Sequence, residues 1–208
     1  MNRRLGVLIS GRGSNLQSII EAIGRGELDA TISVVISNRA DAGGLQRARD
    51  AGIETLVLLP REYADRDAYD RALAEALRAR NVGLVCLAGF MRLVGAPLLD
   101  AFPGRVLNIH PSLLPSFPGL EAQRQAINHG VRISGATVHL VTSELDGGPI
   151  VVQSAVPVLD DDTADTLAAR ILIQEHRIYP EAIRIVLDEK WTLEGRRIVL
   201  TAGESKRS

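Results

Sequence analysis

One cysteine, Cys86, is all that the 208 residues contain. That excludes an internal disulfide and a cysteine-based zinc site. Its setting in the apolar run Leu84-Val85-Cys86-Leu87-Ala88 makes it a small core hydrophobe. Aromatic residues reach only 3%, too few for a platform on which single-stranded bases could stack. Neither sign of charge is in excess. The formal net charge is -1, which leaves no electrostatic footprint for DNA or RNA and no pull towards an anionic membrane. No apolar run approaches the roughly 18 residues needed to span a bilayer. The N-terminus runs directly into a strand-like segment and shows no signal-peptide pattern. A cytoplasmic protein acting on small molecules is expected, with no nucleic-acid or membrane partner.

What remains is an ordinary globular composition, 46% hydrophobic and 24% charged. The length suits one α/β domain, expected over residues 1–200, with a polar tail at 201–208. Short aliphatic runs at 5–9, 32–36, 54–59, 84–88 and 105–109 read as strands, and helical patterns lie between several of them. The segment 15–25 sets Leu16, Ile19, Ile20 and Ile23 on one helical face, and 66–80 spaces Tyr69, Leu73 and Leu77 by four. Strands separated by helices pair in parallel through right-handed crossovers. The expected fold is therefore α/β, a doubly wound, mainly parallel sheet with function at the carboxyl ends of its strands. After residue 118 the pattern changes. Runs at 134–142 and 150–158 are joined by a Gly-Gly-Pro turn and should pair antiparallel. A long C-terminal helix spans 163–189, with Pro180 as a bend or break. A small hairpin follows at 191–200.

Four segments carry chemistry. In one of them, Ala88-Gly89-Phe90-Met91-Arg92-Leu93 after the fourth strand, Met91 and Leu93 either line a ligand wall or pack in the core at a helix start. Ser10-Gly11-Arg12-Gly13-Ser14-Asn15 joins the first strand to the first helix. Glycines let a backbone approach an anion, and the first helical amides point at it. A tight strand-to-helix turn would use the same residues. It is neither the dinucleotide pattern, whose third glycine is missing, nor a Walker loop. Asn108 and His110 stand two apart at the end of the fifth strand, so their side chains share one face. An amide donor and an imidazole converging there suit a developing oxyanion. Asp146 precedes Gly147-Gly148-Pro149. It is either a turn-capping aspartate or, if the turn folds back over the fifth strand, a carboxylate that orients His110 and stabilises its charged form.

Taken in order, SGRGSNLQ, SNRADAGGLQRA, LAGFMRL, LNIHPSLLPSFPG, VHLVTSELDGGPI and QEHRIYP resemble the phosphoribosylglycinamide formyltransferases, folate-dependent enzymes of purine synthesis. The resemblance runs from about Leu5 to Leu200. It implies a Rossmann-like formyltransferase fold and direct transfer of a formyl group from 10-formyltetrahydrofolate to the amine of a phosphoribosyl substrate, without a metal. By the resemblance, Asn108, His110 and Asp146 match the catalytic trio, and Gly13, Ser14 and Asn15 the loop that holds the substrate phosphate. Glu175 matches the acid that contacts the ribose. Arg66, Met91, Arg92, Leu93, Val94, Asn108, Val141, Thr142, Ser143, Glu144, Leu145 and Asp146 match the folate pocket. A monomer or homodimer is implied. The family often carries a histidine where this chain has Glu121 or Ser134, and a basic residue where it has Ser116. Those differences bear on secondary substrate contacts, not on the reaction. Methionyl-tRNA formyltransferases and 10-formyltetrahydrofolate deformylases share the chemistry. The former normally add a C-terminal domain and a more basic surface, the latter an N-terminal regulatory domain. A non-catalytic phosphosugar or folate-binding module would keep the Gly13 loop without needing the trio.

Overall fold

A computed structural model describes residues 2–188 and 190–201. The expected tail at 202–208 lies outside the described residues. Strand β1 (Arg4–Ile9) leads to helix α1 (Ser14–Gly24), then β2 (Thr31–Ser37), α2 (Gly43–Asp50), β3 (Thr55–Val57), α3 (Arg66–Arg78) and β4 (Leu84–Leu87). Helix α4 (Ala96–Ala101), β5 (Val106–His110), α5 (Ala122–His129), β6 (Ile133–Leu140), β7 (Ile150–Pro157), α6 (Ala164–Asp188), β8 (Trp191–Glu194) and β9 (Arg197–Leu200) complete the order. The nine strands among the described residues form one sheet in the order β3-β2-β1-β4-β5-β6-β7-β9-β8. The pairs from β3 to β5 are parallel, whereas β5–β6, β6–β7 and β8–β9 are antiparallel. This is the doubly wound, mainly parallel sheet with antiparallel C-terminal strands that the alternation predicts.

Apolar side chains on the two sheet faces build two cores. Leu5, Val7 and Ile9 of β1 point into the core that α1 and α6 cover, while Leu8 points into the one under α3 and α4. The period-two alternation of a strand produces that split. Helix α3 lies so close to β1 that a Cβ on Gly6 would sit 2.3 Å from Leu77 Cδ2. The Tyr179 hydroxyl ties α6 to the sheet by donating to the Leu87 carbonyl at 2.9 Å.

Two expectations about elements change. The run 54–59 yields only three strand residues, because β3 is an edge strand paired with β2 alone and the chain turns at Pro60. Helix α6 continues through Pro180. Proline removes one internal hydrogen bond, but Ile178 and Tyr179 before it and Ala182 and Ile183 after it are all fully buried and hold the helix against the sheet.

In the sheet order, β1 and β4 are neighbours from which the chain winds in opposite directions. Loops leaving the carboxyl ends of such strands diverge and open a crevice. Here the loops are 10–13 after β1 and 88–95 after β4.

Candidate active site

The first wall of the crevice is the β1–α1 turn. Gly13 adopts φ 73° as the residue before the helix. A Cβ there would lie 2.5 Å from Gly44 Cα, so both conformation and space require glycine. The first helical bond runs from Gln17 N to Gly13 O at 2.9 Å. The amides of Ser14 and Asn15 precede it and, as at any helix start, have no intrahelical acceptor. A cleft of about 260 Å³ opens beside them, lined by Ser14, Gln17, Arg47 and His176 among others. Asn15 Nδ2 donates to Glu175 Oε2 at 2.7 Å, which brings α6 to the same place. Glu175 is 8% exposed, and burial pushes its carboxyl above the ordinary range despite the bond from Asn15.

The second wall is β5 with its antiparallel neighbour. Asn108 pairs directly with His139 across the β5–β6 ladder, and Asn108 Nδ2 lies 3.2 Å from His139 Nε2. His139 Nδ1 lies 3.0 Å from the Leu140 carbonyl, which can only accept. Nδ1 therefore carries a proton, and in the neutral ring Nε2 accepts from Asn108. His110 is fixed the same way. Its Nε2 lies 2.9 Å from the Phe117 carbonyl, so Nε2 carries a proton and Nδ1 is left facing Asp146 Oδ2 at 3.5 Å. The turn after β6 does fold back over β5, as one reading of Asp146 required.

Asp146 is held in place as well as brought close. Its Oδ2 accepts from Gly119 N at 2.8 Å, and its Oδ1 lies 3.7 Å from His139 Nε2, beyond hydrogen-bonding distance. Burial alone would raise the carboxyl. His139, the Gly119 amide and the His110 charge outweigh it, and the group lies below the usual carboxylate range. Phe117, Glu121 and Asp146 all have positive φ (56°, 55° and 48°). Non-glycine residues rarely adopt that region, and such positions gather where surrounding structure imposes a geometry.

The third wall is made of residues 91–94 and 141–146. Among the described residues, none of Met91, Arg92, Leu93 or Val94 takes part in a backbone-to-backbone hydrogen bond outside regular elements. Met91 and Leu93 are 70% and 57% exposed, and Leu145 is 52% exposed. Val94 and Val141 pack on the same core, so both segments belong to one side of the sheet. Arg66, at the start of α3, reaches the end of the 91–95 loop, with its Nη2 3.2 Å from where a Gly95 Cβ would be. Outside the wall, Arg196 at the tip of the β8–β9 hairpin pairs with Glu144 at 3.2 Å and donates to the Gly147 carbonyl. No group of three or more metal-ligating side chains is present among the described residues. No described helix is long and apolar enough to cross a membrane.

The chain matches the formyl transferase family over residues 3–183. It belongs to that family. Phosphoribosylglycinamide formyltransferase of Escherichia coli (strain K12) is 47% identical over 190 residues, which cover 91% of this chain and 87% of the relative. Glycinamide ribonucleotide transformylase 1 from Symbiobacterium toebii superimposes with a TM-score of 0.94 at 58% identity, over 96% of this chain and 94% of that one. A formyltetrahydrofolate deformylase from Pseudomonas syringae pv. tomato shares the fold with a TM-score of 0.89 at 26% identity, but this chain covers only 67% of it.

In this formyl transferase Asn108, His110 and Asp146 come together around β5, and Asn15 meets Glu175 beside the Gly13 turn. His139 was not among the residues singled out from sequence. Its only sequence signal was its place in the segment VHLVTSELDGGPI, since its partner Asn108 is revealed by the β5–β6 register and not by any local pattern. The carbonyl of Phe117 and the amide of Gly119 were equally invisible, because backbone groups leave no trace in a sequence.

Proposed function

We propose that the chain transfers the formyl group of 10-formyltetrahydrofolate to the amine of 5-phosphoribosylglycinamide, giving the N-formyl product and tetrahydrofolate. What supports this reading is the convergence of Asn108, His110 and Asp146 at the end of β5, together with a helix start after β1 able to hold a phosphate. The amides of Ser14 and Asn15, after Gly13, bind the phosphate. Glu175 accepts from the ribose hydroxyls, with Asn15 setting its orientation. The apolar side chains of Met91, Leu93, Val94, Val141 and Leu145 and the backbone groups of residues 91–94 fit a flat heterocycle with polar edges. Arg66 and Arg92, with Thr142, Ser143 and Glu144, line the same pocket. The folate supplies an activated one-carbon unit.

Acyl transfer to an amine builds negative charge on the formyl oxygen and needs a proton to leave the attacking nitrogen. Asn108 Nδ2 carries two hydrogens. His139 accepts one, and the other is free for the developing oxyanion. His110 Nε2–H must leave the Phe117 carbonyl to reach the same oxygen, whereas Nδ1 already faces Asp146. Asp146, held in its ionised form, balances the imidazolium, and the proton lost by the attacking amine passes to the departing folate nitrogen as its bond to the formyl carbon breaks. The decisive assay follows loss of the folate formyl group with and without glycinamide ribonucleotide. Dependence on the acceptor, with N-formylated product, is expected. Formyl release at the same rate without acceptor would instead make the chain a deformylase.

A further inference from the structure

Residues 91–94 make no backbone-to-backbone hydrogen bond outside regular elements, so side chains must hold that stretch in shape. It is pinned at its two ends. Met91 N donates to Ser10 Oγ at 2.8 Å, and Gly95 N donates to Asp70 Oδ2 at 2.5 Å. Ser10 belongs to the phosphate-loop segment. Asp70 belongs to no segment assigned a role so far. It lies on α3, one turn after Arg66, and is 1% exposed. A carboxylate is almost never buried to that degree unless it is paired. An ideal Cβ on Gly95 would lie 3.0 Å from Asp70 Oδ2 and 3.2 Å from Arg66 Nη2, so both side chains crowd one α-carbon. Between them in sequence, Tyr69 places its ring 5.2 Å from the Arg92 guanidinium carbon. The first turn of α3 thus acts as a bed under the loop. Tyr69 supports Arg92, and Asp70 fixes the backbone two residues beyond Leu93.

We propose that Asp70 is a positioning residue for the folate side of the site: by holding Gly95 N it sets the backbone of residues 91–94 and keeps Arg66 and Arg92 beside it. The proposal rests on the reading of residues 91–94 as a folate wall. Burial pushes the Asp70 carboxyl above the ordinary carboxylate range, against the Gly95 amide and the charges of Arg66 and Arg92. Packing alone would be served as well by leucine, which has a similar volume and no charge to desolvate.

The test is steady-state kinetics on the full chain carrying Asp70→Leu, Asp70→Asn or Val94→Trp, with thermal midpoints as the folding control. Asp70→Leu removes the acceptor for Gly95 N. The KM for 10-formyltetrahydrofolate should rise by about tenfold, the effect of leaving one buried donor unpaired. The KM for glycinamide ribonucleotide and the kcat at saturating folate should stay within about twofold. Asp70→Asn keeps an oxygen that can accept from Gly95 N and should recover most of the folate affinity. If the leucine variant does not fold, Asp70→Ser, too short to reach Gly95, is read by the same criteria. A folate KM within about twofold of the parent in a folded Asp70→Leu or Asp70→Ser protein, while Val94→Trp raises it, overturns the proposal and leaves the folate wall standing. Equal loss in both KM values and kcat, or no rescue by asparagine, also overturns it, because that is the behaviour of a structural residue. If Val94→Trp leaves the folate KM unchanged, the wall itself has been misread and the proposal falls with it.

Discussion

Replacing Asp146 with asparagine keeps the shape of the side chain and removes its charge. The amide oxygen can still accept from Gly119 N, now 2.8 Å from Oδ2, so the turn should keep its conformation. What is lost is the attraction between a carboxylate and an imidazolium whose nearest atoms are 3.5 Å apart. At an effective dielectric of about 20 that attraction is about 5 kcal/mol, a ceiling of several thousandfold in rate. Partial solvation reduces it. The chemical step should slow by about 100- to 1,000-fold, the range for a lost transition-state electrostatic contact. Binding of the acceptor should change by less than about threefold, because the Gly13 turn does not contact the lost charge. The assay is single-turnover formyl transfer with Asp146→Asn, His110→Asn and the double variant. Since both side chains act on one proton, the double loss should be far smaller than the sum of the single losses in free energy. Additive losses would show that the two act independently and would refute the coupling argued from the 3.5 Å contact.

Three further outcomes follow from other contacts. A Cβ at Gly13 meets Gly44 Cα at 2.5 Å in a positive-φ conformation, whereas one at Gly11 meets nothing within 4 Å. Gly13→Ala should therefore lower Tm by at least about 4 °C and raise the acceptor KM, while Gly11→Ala changes neither; equal Tm values for the two would argue against the close approach. Burial raises the Glu175 carboxyl, so the folded chain takes up its proton above the usual value of about 4.3 and stability falls as pH rises through that window. Glu175→Gln should thus raise Tm at neutral pH and weaken acceptor binding, and should remove the loss of acceptor affinity that the parent shows as pH falls; a parent-like acid limb in the variant would count against Glu175 as the ribose contact. His139→Leu leaves the Asn108 amide without its acceptor at 3.2 Å and should lower kcat by at least about tenfold at nearly constant KM for both ligands, because a donor that turns away from the oxyanion loses most of its effect; an unchanged kcat would mean that the ladder alone orients Asn108.

The sequence shows its fold where a single element carries the signal. Leu5 to Ile9, Leu84 to Leu87 and the four-residue spacing of Tyr69, Leu73 and Leu77 each report burial through their own periodicity. Helix α4 escapes that reading. It has six residues, of which Leu98 alone is buried, and it starts with Ala96-Pro97 directly after an irregular loop. Pro180 misleads for the opposite reason. Its local cost is real, but the buried residues on either side outweigh it. At the site, Gly13, Asn108 and His110 are legible because the end of a strand or the start of a helix defines their geometry. The placement of Asp146 is not, since it depends on a bond to Gly119, 27 residues away. His139 is hidden altogether until the antiparallel register opposes it to Asn108.

The same register explains why the antiparallel addition belongs to the chemistry as well as to the fold. A purely parallel doubly wound sheet offers one crevice, where the loops after neighbouring strands diverge. In this chain that crevice accounts for the Gly13 turn after β1 and for residues 91–94 after β4, joined through Ser10 Oγ and Met91 N. On the proposed reading it gives each ligand a wall and, at the end of parallel β5, Asn108 and His110, but no carboxylate to face His110. Strand β6, running back along β5, brings its carboxyl end towards the start of β5 and sets Val141 N on the Val106 carbonyl at 2.8 Å. The turn that follows crosses towards the far end of β5, and Asp146 arrives beside His110. A parallel β6 would have needed a long crossover and could not have returned a carboxylate to that place within six residues of its own end. On the proposed reading, direct transfer between two bound ligands needs a carboxylate facing His110, and the reversal of strand direction at β5–β6 is what puts Asp146 there.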